Sequence, residues 1–170
     1  MTIQLVADYI EQLCREHTAV RHTYQEPHFV NLNDDRRATA LVEELRYPAV
    51  YFEATDFTLA VTSSQMWQRY TCHIEVFQHV ADTADYAEVE RALSSSEQII
   101  IDIFARMVCD RATTSPQFKW LRCIDISQGI KVVPLQNEQN ALYGYMAEFT
   151  VPLPGCVAKS IDNFKSSDNG

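Results

Sequence analysis

Apolar residues recur every third or fourth position in two stretches of the chain and every second position in most of the rest. In residues 3–17, Val6, Tyr9, Ile10, Leu13 and His17 fall at i, i+3, i+4, i+7 and i+11, and Glu11 precedes Arg15 by one helical turn. This spacing predicts an amphipathic helix. The second stretch is Ser96–Asp110, where Ile100, Ile103, Phe104 and Met107 line one face and Asp102, Arg106 and Asp110 lie on the other side. Ser94 with Glu97 three residues on reads as a capping box, and Ser96 is a second candidate cap. Tyr86–Leu93 is helical by composition, so a break is expected across Ser94–Ser96.

The alternating segments predict strands. Val20, His22 and Tyr24 suggest a short one ending near Pro27. Val50 and Phe52, then Phe57, Leu59 and Val61, read as a hairpin turning at Thr55-Asp56. Ser63–Gln68 reads as a loop carrying Met66 and Trp67. Tyr70, Cys72, Ile74, Val76, Gln78 and Val80 share one strand face, with Thr71, His73, Glu75 and His79 on the other. Phe118, Trp120, Arg122, Ile124 and Ile126 alternate, Gly129 marks a turn, and Ile130, Val132 and Val133 form a short strand stopped, or placed at an edge, by Pro134. Gln136–Asn140 reads as polar loop. Tyr143, Tyr145, Ala147, Phe149, Val151 and Leu153 make a long closing strand.

Strands gathered into runs, with one polar face and two principal helices, imply an α+β fold: a mainly antiparallel sheet packed against those helices in a single domain. The domain is expected over 1–156, with an excursion at 27–47 and a polar tail at 157–170 that is disordered in isolation. Within the excursion Ala38, Leu41, Val42 and Leu45 fit a short helix. Two readings stay open there: a helical excursion at the sheet edge, or a projecting arm with Arg36 and Arg37 at its tip.

Composition narrows the function classes. The chain of 170 residues carries a net charge of −9, and its fourteen basic residues are scattered, Arg36-Arg37 being the only adjacent pair. Gripping nucleic acid needs clustered cations, so that class is disfavoured. The five cysteines, Cys14, Cys72, Cys109, Cys123 and Cys156, form no CxxC and sit in or beside apolar segments, which predicts buried reduced thiols. No apolar run approaches the roughly 20 residues that span a bilayer. The N-terminus lacks a basic n-region, so the chain is expected in a cytoplasm or a particle assembled there.

No chemistry-bearing motif is present. Four isolated glycines form neither GxGxxG nor a P-loop. His73 and His79 would share a strand face but stand roughly 20 Å apart, too far to ligate one metal. The expectation is no catalytic residue, metal or cofactor. The residues singled out are candidates for a subunit or partner interface: the charge cluster Asp34, Asp35, Arg36 and Arg37, whose alternating sign allows pairing between neighbours, and Trp67 beside Arg69, two residue types enriched at interfaces. The plainer alternatives are a solvated loop and a Trp folded back onto the core.

The order of elements resembles the tail terminator (tail-completion) proteins and related minor tail or neck proteins of long-tailed phages. The residues that carry it are the helix at 3–17, Tyr-Pro-Ala-Val-Tyr-Phe at 47–52 and the strand 70–80. They continue with the helix containing Glu-Gln-Ile-Ile-Ile-Asp-Ile-Phe and the closing Tyr-Gly-Tyr-Met-Ala-Glu-Phe-Thr-Val-Pro-Leu-Pro at 143–154. The resemblance implies a non-enzymatic subunit of a ring, commonly a hexamer, in a virion assembled in a bacterial cytoplasm. Its partners would be further copies of itself, the tail tube and the neck proteins, with DNA passing unbound and no membrane. It brings no catalytic residues, and the 27–47 excursion and the tail have no counterpart in it. The alternatives are another self-associating adaptor (a head–tail connector, baseplate or contractile-system part) and an α+β enzyme or small-ligand binder whose site, around His22, His73 or Cys72, forms only in space.

Overall fold

The first helix, α1 (Ile3–Glu16), buries Val6, Ala7, Tyr9, Ile10, Leu13 and Cys14, the stripe that its sequence spacing sets out. In the computed structural model, which describes residues 2–34, 44–61, 65–124 and 129–155, it lies with a second helix on one face of a five-stranded sheet. The strands are β1 (Phe29–Asn31), β2 (Ala49–Val61), β3 (Met66–His79), β4 (Lys131–Asn137) and β5 (Leu142–Gly155). Their spatial order is β1-β2-β3-β5-β4; only the short β1–β2 pair is parallel. This is an α+β fold built as one domain.

The second helix, α2 (Tyr86–Ala112), is longer than the sequence suggests and has no break at Ser94–Ser96. It starts at Asp85, whose side chain accepts the backbone N–H of Ala87 and Glu88. Neither serine acts as a cap. Ser96 is fully buried in the helix interior and continues the stripe Ala92, Ser96, Ile99, Ile100, Ile103, Met107. The apolar stripe and the tertiary packing override the weak helix-breaking tendency of three serines. α2 crosses β3 and β5, while α1 packs on β1, β2 and α2.

The residues expected to form a hairpin at 50–61 form a single strand with a β-bulge. Ala54 pairs with Cys72 and Asp56 with Thr71, leaving Thr55 as the extra residue. The bulge reverses the parity of β2. Val50, Phe52 and Ala54 before it and Phe57, Leu59 and Val61 after it therefore all stand on the helix side, opposite Val76, Ile74, Cys72, Tyr70, Gln68 and Met66.

Three other expectations are corrected. Of the strand expected from Phe118 to Ile126, the described part does not form one: Pro116–Cys123 is a 3-10 helix, and Ile126 lies outside the described residues. Phe118, Leu121 and Ile124 recur at period three, the repeat of that helix, and turn inward beside Trp120. Val20–Tyr24 is not a strand either; Arg21 takes a left-handed conformation (φ 53°) and the chain turns. Met66–Gln68 belongs to β3 instead of a loop. β4 continues through Pro134 to Asn137, tolerable because β4 is an edge strand. The proposed helix at 38–45 and the tail at 157–170 lie almost wholly outside the described residues; of the former, Leu45 is buried against Val30 and Ala49.

β3 and β5 approach closely where Gly144 faces Phe77. A Cβ at Gly144 would stand 1.8 Å from the Val76 carbonyl oxygen, so no other residue fits there.

Candidate interaction surface

At its β2 edge the sheet extends past its covering helices, whereas Val151 and Leu153 of β5 at the same end stay buried. At this far end, β1 pairs with β2 only through Phe52, and β4 pairs with β5 only as far as Glu148. Among the described residues, the outer edges of β2 after Ala54 and of β5 after Glu148 therefore carry no neighbouring strand. Phe57, Leu59 and Val61 continue the apolar face of β2 into this region and are 51%, 57% and 73% exposed. The Phe57 and Tyr70 rings lie side by side, with centroids 5.3 Å apart.

On the opposite face of the same end stand Trp67 and Arg69, two of the sequence candidates, which alternation along β3 brings to one side. Trp67 pairs with Pro154 and Arg69 with Pro152 on β5. Together with Cys123 and Pro152 they line a groove of about 250 Å³. It adjoins a cleft of about 440 Å³ lined by Arg69, Cys123, Lys131, Glu148 and Thr150 among others. Arg69 and Lys131 make no ion pair among the described residues. Glu148 is held by His73, Oε2 to Nε2 3.2 Å. Trp67 is thus half-buried at the mouth of a groove, not folded into the core. Of the other candidates, Asp34 ends the turn after β1, its N–H donating to the Asn31 carbonyl, and Asp35, Arg36 and Arg37 lie outside the described residues.

The remaining clusters of titratable groups have structural partners. His22, buried behind α1, meets the Glu11 carboxylate at 3.3 Å and accepts the His28 backbone N–H on Nδ1 at 3.1 Å. Glu11 also accepts from Arg15 at 2.7 Å, and Arg15 lies 4.7 Å over the Tyr24 ring. Burial pushes the His22 imidazole below its ordinary range, against the upward pull of Glu11. The Tyr9 hydroxyl donates to Asp110 at 2.8 Å; Asp110 also receives Arg106, which reaches Glu16 at 3.4 Å. These bonds join α1 to α2.

Cys72 and His73 point to opposite faces of β3, so they cannot line one cavity with His22. Burial pushes the Cys72 thiol up to about 12, which keeps it protonated at neutral pH. Among the described residues no group of three His, Cys, Asp or Glu side chains is arranged to hold a metal. No helix there is long and apolar enough to cross a membrane.

Sequence reasoning found Trp67 and Arg69 but missed the exposed stripe of β2 and the contributions of Cys123, Lys131 and Pro152. Alternation marks the stripe as one face of a strand, yet nothing local records whether a helix covers it. No family model matches the chain, and no curated protein shows significant similarity to it.

Proposed function

We propose that the chain is a ring-forming structural subunit of a phage or prophage tail, one that ends the tail tube and joins it to the neck. The observation that carries the reading is the exposed stripe Phe57, Leu59 and Val61, contiguous along a free strand edge, on the opposite face from the Trp67–Arg69 groove. A contiguous exposed apolar surface marks an interaction site. Two unlike surfaces on one subunit are what a head-to-tail association needs, and such an association closes into a ring when its rotation closes. The resemblance in the order of elements supports the same reading and sets the expected ring size at a hexamer, with the tail tube and neck proteins as its other partners. The net charge of −9 suits a lumen through which DNA slides without being held.

Negative-stain microscopy and multi-angle light scattering of the purified chain at tens of micromolar test this. Closed rings of uniform diameter are expected. A monomer that persists with tail-tube or neck proteins added would overturn it.

A further inference from the structure

We draw no further inference here: the strongest candidate, the exposed apolar stripe Phe57–Leu59–Val61 along the far end of β2, carries none, because nothing in the structure shows what covers it.

Discussion

At the near end of the sheet, Phe52, Ile74 and Ala147 lie side by side on β2, β3 and β5 with no exposed surface, while at the far end Phe57, Leu59 and Val61 of the same β2 strand stand half or more in solvent. The two regions share strands, one continuous face and the same kind of residue. They differ in what lies above them: α1 and α2 cover the near half, and among the described residues nothing covers the stripe. Burying an apolar side chain contributes about 1.5–3 kcal/mol. The near half has realised that free energy within the chain, and among the described residues the far half has not.

The sharpest way to break this comparison is to truncate one residue from each half. Phe52→Ala should destabilise the folded chain by about 3–5 kcal/mol, the cost of a buried aromatic lost with a cavity left behind. Chemical denaturation would show this as a lower midpoint with little change in slope. A Phe52→Ala variant as stable as the parent would mean that the near half is not the folding core.

Acidification should loosen the cover of the near half by a smaller amount. His22, whose ring lies 6.0 Å from that of Phe29 on β1, is held below its ordinary pKa by burial, with Arg15 and His28 acting in the same direction and Glu11 against. The folded chain therefore binds fewer protons than the unfolded chain between the depressed value and the ordinary His value of about 6.5, and stability rises with pH across that window. The contribution is complete above the ordinary value and is lost as pH falls from there towards the depressed one. A second proton would also fall on Nδ1, which now accepts the His28 N–H. Thermal melts at pH 7.5 and 5.5 should differ, and His22→Gln should flatten the difference.

The smallest effect on folding is expected in the far half. Leu59→Ser should alter the stability of the isolated subunit by no more than about 0.5 kcal/mol, as at an exposed site. Its association, read by sedimentation, should weaken markedly. A large stability loss with unchanged association would mean that the stripe serves its own fold instead.

Much of this architecture is legible in the residues. The 3.6-residue stripe of α1, the alternation of β3 and β5 and the apolar face of α2 all follow from periodicity, and together they imply helices on one antiparallel sheet. What could not be read has physical causes. A polar Thr55-Asp56 pair between two alternating runs of opposite parity has the same appearance whether the chain turns or bulges. Phe118, Trp120 and Ile124 satisfy a period of two and, with Leu121, a period of three, and tertiary packing chose the latter. Trp67 and Arg69 could be paired because they stand two residues apart in the chain, although Trp67 reads as part of a loop and is in fact on β3. The rest of their groove arrives from Cys123, Lys131 and Pro152, which only the fold brings near.

Thr55 gives the chain a counting device. Because Ala54 pairs with Cys72 and Asp56 with Thr71, deleting this one residue would leave a regular strand with every face beyond it unchanged, whereas losing a second residue there would exchange the faces. After that second loss Phe57, Leu59 and Val61 would stand on the side that bears Trp67. At this position the loss of one residue is absorbed by the bulge, and the loss of two rewrites which side chains the strand shows on each face.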